Sequence, residues 1–286
     1  MSGVPCPLCG SSRERLVVAG PTSLVRCLAC GLFYRNPPPV AALRRHYDEV
    51  YGDLGASDQI DTRRRAIYGG FLDAPVPPQR RRLLDIGCGS GEFLDLARQR
   101  GWHAEGVEVS PQGAALARRR GLTIHASVEK LADASFDVVT LWNVVDFFPH
   151  PLEEMRHIHR VLAPGGVTLV RAPNAVYQIT AWRLSRLLVW PPALARLAAE
   201  AYFFQPLVWS PRTLSRLFRA AGFGEVHLWN SEISSGDPYR ARSPARHRVI
   251  SLGKHALRAA AQAVYVASRG RLVIGSSVSG LARKAA

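Results

Sequence analysis

The 286-residue sequence predicts an α/β fold: a doubly wound, mostly parallel sheet with a small cysteine-rich module ahead of it. Three observations carry this expectation. From about residue 80 onward, short apolar runs alternate with helical patterns, the signature of parallel βαβ units. One of those runs, Leu83-Leu84-Asp85-Ile86, enters a turn with glycines at 87, 89 and 91, and a helical pattern follows at once. Two near copies of C-x-x-C-G open the chain, Cys6-Pro7-Leu8-Cys9-Gly10 and Cys27-Leu28-Ala29-Cys30-Gly31.

The paired knuckles have the spacing of a four-thiolate zinc site. Two thiolates three residues apart grip one ion from a tight turn, and the glycine after each pair lets backbone N–H groups point at the sulfurs. With Cys6, Cys9, Cys27 and Cys30 filling all four tetrahedral positions, no place remains for water or substrate, so Zn²⁺ is expected to be structural. Two disulfides or a redox pair are the competing readings. A cytosolic chain disfavours the first, and the doubled motif exceeds what the second requires. Asn36-Pro37-Pro38-Pro39 is a stiff, extended linker that closes this ribbon at residue 36. Residues 37–79 then read as a helical linker or cap, with helices at Val40 to Tyr51 and Thr62 to Leu72 bearing His46, Tyr47, Tyr51 and Tyr68. Residues 80–286 form the main expected domain, with an apolar insertion at about 176–209.

Glycines at 87, 89 and 91 allow a tight turn and close approach of a ligand, and the following helix start offers free N–H groups, so this turn reads as a cofactor cradle. Its G-x-G-x-G spacing differs from the G-x-G-x-x-G that grips a pyrophosphate. A second strand, Ala104 to Val109, delivers Glu108 seventeen residues after Gly91. Ser110-Pro111 and Ser210-Pro211 each pair an N-cap with a helix-starting proline, and the second helix stops at Gly222. Ser135 to Trp142 reads as the fourth strand, and Arg160 to Gly166 as a turn before a fifth strand that ends near Ala172-Pro173-Asn174.

Asp85 through Gly91 resembles motif I, D-x-G-x-G-x-G, of the class I S-adenosylmethionine-dependent methyltransferases, and the ordered matches cover about residues 80 to 230. The resemblance implies a Rossmann-like, seven-stranded, mostly parallel sheet closed by a strand near Ser276 to Arg283. It implies S-adenosylmethionine as cofactor, held by Asp85, Gly87, Cys88, Gly89, Gly91, Glu108, Val109, Ser127, Val128, Asn143 and Tyr47. Within that set Glu108 would accept both ribose hydroxyls, Ser127 to Leu131 would face the adenine, and Cys88 would fit beneath the cofactor. The cysteine pairs, the Asn-Pro-Pro stretch and the Tyr-rich helix resemble zinc-ribbon methyltransferases linked with sugar, polysaccharide and secondary-metabolite tailoring, in which that helix caps the cofactor. Packing of Tyr47 against Tyr51 at i,i+4 stands equally with ligand contact.

One departure bears on chemistry. Relatives carry Glu-His after the fourth strand, whereas here the pair is Asp146-Phe147, and phenylalanine cannot act as a base. Asp146 and His150 are the remaining catalytic candidates. Their structural alternatives are a local hydrogen-bonding aspartate and a helix-start histidine between two prolines.

Charge and composition bound the partners. The net charge is +15, yet from Tyr239 onward there are ten basic residues and no acid, and the rest of the chain carries only 27 basic against 22 acidic residues. Arginine dominates, with lysine only at 130, 254 and 284, so genomic bias competes with a binding role. The N-terminus shows neither arm of a signal peptide, and the apolar stretch from Trp182 to Trp209 is broken by charges and Pro191-Pro192, which excludes a spanning helix there. A cytoplasmic location is expected, with peripheral contact at the inner face of a membrane left open. The insertion carries Trp182, Trp190, Tyr202, Phe203, Phe204 and Trp209, and reads as an apolar substrate lid, a dimer contact or an interfacial membrane surface. Val249 to Ser268 reads as an amphipathic helix. The leading expectation is methyl transfer to a small-molecule, glycan or lipid-linked acceptor. An rRNA or tRNA methyltransferase is second, because residues 1–36 contain only four arginines and no aromatic stacking series. A catalytically inactive partner protein of the same fold is third. The sequence does not specify the oligomeric state.

Overall fold

The computed structural model describes residues 4–20, 22–39, 62–73, 78–188, 204–231 and 257–286. Tyr47, Trp190 and five of the ten basic residues of the tail, Arg240, Arg242, Arg246, Arg248 and Lys254, lie outside the described residues. A seven-stranded sheet dominates, in the order β6-β5-β4-β7-β8-β11-β10. Its strands are β4 (Arg82–Ile86), β5 (His103–Val107), β6 (Thr123–His125), β7 (Phe136–Trp142), β8 (Leu162–Pro173), β10 (Glu225–Asn230) and β11 (Ser277–Arg283). The five strands from β6 to β8 run parallel, and β11 lies antiparallel between β8 and β10. The mostly parallel sheet and its closing strand are therefore as expected.

Helices α2 (Glu92–Gln99), α3 (Pro111–Arg119), α4 (Pro151–Val161), α5 (Ala175–Leu188) and α6 (Pro211–Ala220) connect these strands, with α1 (Thr62–Leu72) preceding them and α7 over residues 257–267. Central strands are buried on both faces, as parallel strands between helix layers must be. Leu83 and Val138 face a core with Phe93, Leu94 and Ala117 of α2 and α3, whereas Leu84 and Val139 face one with Met155 and Ile158 of α4. Both serine caps form. Ser110 Oγ accepts from the Gly113 amide, and Ser210 makes a reciprocal capping box with Thr213.

A smaller antiparallel sheet holds the cysteine pairs: β1 (Glu14–Val18), β2 (Ser23–Cys27) and β3 (Phe33–Asn36). Its fourth strand, β9 (Leu207–Val208), comes from the far end of the apolar insertion, with Phe33 opposite Val208 and Tyr34 opposite Leu207. Arg35 reinforces the join, its amide donating to Pro206 O at 2.8 Å and its Nε to Phe204 O at 3.1 Å. Cys6, Cys27, Cys30, Leu32 and Tyr34 consequently share one core with Leu207, Trp209, Leu214 and Phe218.

The structure differs from the sequence reading at two places. The turn expected at 160–166 is absorbed into β8, where the pairing with β7 jumps from Phe136–Leu162 to Val138–Val167 and Gly165 takes up the excursion at φ 72°. Of the tail helix expected over 249–268, residues 249–256 lie outside the described residues and 257–267 are helical. Trp182 and Trp209 do not form an apolar outer surface. Trp182 packs with Leu24, Ile179, Phe204 and Val208, and Trp209 is wholly buried, because the small sheet covers this face of the insertion. Among the described residues, no helix is long and apolar enough to cross a membrane.

Candidate functional site

The turn after β4 places Gly87, Gly89 and Gly91 at φ 70°, 57° and 85°, the left-handed region that L side chains rarely adopt. At Gly87 a Cβ would also overlap Val144, so the backbone here runs tightly beneath the segment that follows β7. Gly91 caps α2, whose first turn carries Glu92 and Asp95.

Glu108 is buried at the carboxyl end of β5, and both of its oxygens are oriented by backbone. Oε2 accepts from the Gly89 amide at 2.8 Å and Oε1 from the Ser110 amide at 2.7 Å. Each carboxylate oxygen keeps acceptor capacity beyond one bond, so the group stays aimed and able to take further donors. Val109 beside it is 81% exposed at the same edge. Asp85 lies beneath the turn, accepting from Thr140 Oγ1 at 2.6 Å; burial first, then the nearby Glu108 charge, pushes its carboxyl up to about 8.

Cys88 points away from this cradle. Its Sγ sits against Gly106, where an added Cβ would lie only 2.5 Å from it, and against the α2 core. Burial raises its thiol well above the usual range, so the side chain packs as a neutral core group. Ser127 caps the local turn by accepting from the Glu129 amide at 3.1 Å, while Val128 is buried in the core.

After β7 the chain turns at Asn143, in the left-handed region at φ 59°, with its amide donating to Arg171 O. Arg171 projects from β8 and is buried. Its Nη1 donates to Asn143 Oδ1 at 2.6 Å and its Nε to Ser231 Oγ at 2.8 Å, tying the ends of β7, β8 and β10 together. Asp146 follows on the short 3-10 turn Val145–Phe147 and is 1% exposed, and among the described residues neither carboxyl oxygen has a hydrogen-bond partner. Burial raises its proton affinity strongly, and the Arg171 charge opposes that in part. His150 stands apart, exposed at the start of α4 with no capping bond from its side chain. The structure thus brings Asp85, the three glycines, Glu108 and Val109 to one carboxyl edge, and places Asn143 and Asp146 on the segment directly after β7. Arg171 was not found by sequence reading; its one signal is a charge inside the apolar run Val167 to Ala172.

The cysteine cluster fits a tetrahedral ion. All four sulfurs lie within 4.8 Å of one another. Cys27 Sγ accepts from the Cys30 amide at 3.4 Å and Cys30 Sγ from the Leu32 amide at 3.5 Å. Cys6 and Cys30 Sγ lie 3.5 Å apart, and the hydrogen bond between them lowers the Cys30 thiol while raising that of Cys6.

The sequence model of a family described as a methyltransferase domain matches residues 61–228. A ubiquinone biosynthesis O-methyltransferase of Paracidovorax citrulli is 32% identical over 108 residues, covering 34% of this chain and 45% of that protein. One from Cereibacter sphaeroides is 35% identical over 131 residues, covering 41% and 53%. The chain thus spans about half the length of these curated relatives. In fold it is similar to a chain of the Haloferax volcanii complex between the Trm112 methyltransferase activator and a methyltransferase, with 16% identity, a TM-score of 0.53, and coverage of 84% of this chain and 98% of that one. It is also similar to Haemonchus contortus phosphoethanolamine N-methyltransferase 2 solved with S-adenosyl-L-methionine, with 17% identity, a TM-score of 0.50, and coverage of 84% and 56%. With the glycine turn, the oriented acid and a family match over more than half its length, the chain belongs to the methyltransferase domain family of S-adenosylmethionine-dependent enzymes.

Proposed function

We propose that the protein transfers a methyl group from S-adenosylmethionine to a hydroxyl of a small-molecule, glycan or lipid-linked acceptor, with Asp146 as the proton acceptor. The residues around the glycine turn suit the cofactor: Glu108 would take the ribose hydroxyls, Val109 would support the adenine, and the carboxyl edges of β4 and β7 would flank the remainder. When bound, the cofactor supplies a methyl group on a positively charged sulfur. The chain's own work is then to align the acceptor in line with that methyl, to exclude water and to hold the proton. Alignment of this kind contributes roughly 7–11 kcal/mol to the barrier reduction.

The single observation that carries the role of Asp146 is a buried carboxyl with no hydrogen-bond partner among the described residues. An unsatisfied buried polar group costs about 1–3 kcal/mol, more for a charge, and folding alone offers no return for it here. An Asp146 oxygen would take the proton that the acceptor hydroxyl gives up on methylation, with S-adenosylhomocysteine as the leaving product. Arg171, fixed by Asn143 and Ser231, offsets part of the penalty that burial places on the ionised form of Asp146. The relatives named as O-methyltransferases support an oxygen acceptor.

The test offers S-adenosylmethionine with a free catechol, a polyprenylated catechol and a sugar, and reads methylated product. Asp146→Asn, close in shape, is expected to lower kcat by about a hundredfold or more at unchanged affinity for S-adenosylhomocysteine. Because the carboxylate form is the active one, the wild-type rate should rise with pH through a value above the ordinary aspartate range. Full activity in the Asp146→Asn variant would remove the residue from the chemistry.

A further inference from the structure

We propose that Trp209 is a positioning residue that links the cysteine cluster to the turn carrying Asp146, so that metal loss loosens that turn as well as the N-terminal sheet. The inference rests on the proposed role of Asp146 for its catalytic consequence, but not for its geometry.

A continuous set of contacts carries it. The knuckles fix β3, and β3 pairs with β9 through Phe33–Val208 and Tyr34–Leu207. The next residue, Trp209, is fully buried, and its carbonyl accepts from the Ala175 amide at 2.8 Å where α5 begins. It also bridges Asn174 at the end of β8. Its indole Nε1 donates to Val145 O at 3.3 Å, which is the first residue of the Asp146 turn. Cys6, Cys27 and Cys30 pack in the same core as Trp209, Val145 and Phe148, so no solvent layer separates cluster from turn.

At its start this turn is tied where Asn143 meets Arg171. Its middle is held by the Phe147 amide donating to Val144 O at 2.9 Å and by the indole. β9 is two residues long and pairs, among the described residues, with β3 alone. Four thiolates without an ion repel or take up protons, and the knuckles open. β3 then cannot hold β9 in register, and close packing passes the displacement of Trp209 to Val145.

Hydrogen exchange of the full chain, without acceptor, tests this directly. Stripping zinc with a chelator should speed exchange of the amides of residues 144–148 by about tenfold or more in the wild-type chain. Trp209→Phe keeps a ring but loses the donor; with one zinc still bound it should show most of the same gain, while the Cys30 and Leu32 amides stay protected. Its kcat should fall severalfold and its rate-pH midpoint move, with S-adenosylhomocysteine affinity unchanged. If the zinc-loaded variant exchanges like wild type at 144–148, or if stripping unprotects only the N-terminal sheet, the link is overturned. If the exchange link holds while Asp146→Asn is fully active, the link stands and the proposed base fails.

Discussion

Replacing Glu108 by alanine probes the site where backbone and ligand requirements meet. The substitution removes the acceptor for the Gly89 amide at 2.8 Å and for the Ser110 amide at 2.7 Å. Hydrogen bonds to a charged group contribute roughly 1.5–3 kcal/mol each. Water reaches the vacated edge of the site, so the low end applies, and the apo chain should lose about 3 kcal/mol, or roughly 6 °C of melting temperature at this chain length. The cofactor loses as much again if both ribose hydroxyls sit on this carboxylate, which is about a hundredfold or more in Kd. Glu108→Gln separates the two effects, because it retains one acceptor oxygen but not the charge, and should fall between wild type and alanine in both assays. Calorimetry with S-adenosylhomocysteine and thermal melts of the three proteins provide the numbers. Unchanged affinity in Glu108→Ala would refute the ribose assignment, and an unchanged melting temperature would refute the role of Glu108 in holding the glycine turn.

Three further outcomes follow from the same geometry. Purified protein should hold one zinc per chain, and Cys27→Ser should lower that content and destabilise the N-terminal sheet; metal-free protein with two disulfides would contradict the cluster. The Asp85 carboxyl, raised by burial to about 8, stabilises the fold in its protonated state. That contribution is fully present below the unfolded value of about 4 and is lost as pH rises through about 8, at no more than about 1.4 kcal/mol per pH unit. Melts of the apo protein should therefore decline across this window, and Asp85→Asn should flatten the decline; parallel curves would count against it. Trp182→Ala should cost about 3–5 kcal/mol as a core truncation and leave retention on anionic vesicles as in wild type, whereas lost retention at full stability would restore the surface reading.

The sequence made the sheet legible where a local rule and a tertiary demand coincide. The glycine turn needs positive φ at three positions, and no other residue supplies it as cheaply, so Gly87, Gly89 and Gly91 could be read directly. The serine-proline helix starts and the four cysteines are likewise local devices. What escaped was long-range. Nothing near Leu207-Val208 announces that this pair completes a sheet begun at residue 14, since two residues carry no periodicity. Trp182 looked like a surface anchor because its partners Leu24 and Phe204 are distant in sequence. The missing Cβ of Gly106 makes room for the Cys88 thiol in the core, a pairing with β5 that the glycine turn alone does not reveal. Arg171 was hidden because a strand interior gives no sign of which charge will be tethered by a serine 60 residues on.

The account stands or falls on where the nucleoside binds. A crystal structure of the zinc-loaded protein with S-adenosylhomocysteine measures that most directly. It should show both ribose hydroxyls on the Glu108 carboxylate, the adenine against Val109, and the sulfur on the side of the glycine turn that faces Asn143 and Asp146. A nucleoside bound elsewhere, or a Glu108 that leaves the Gly89 amide and makes no ribose contact, would contradict it.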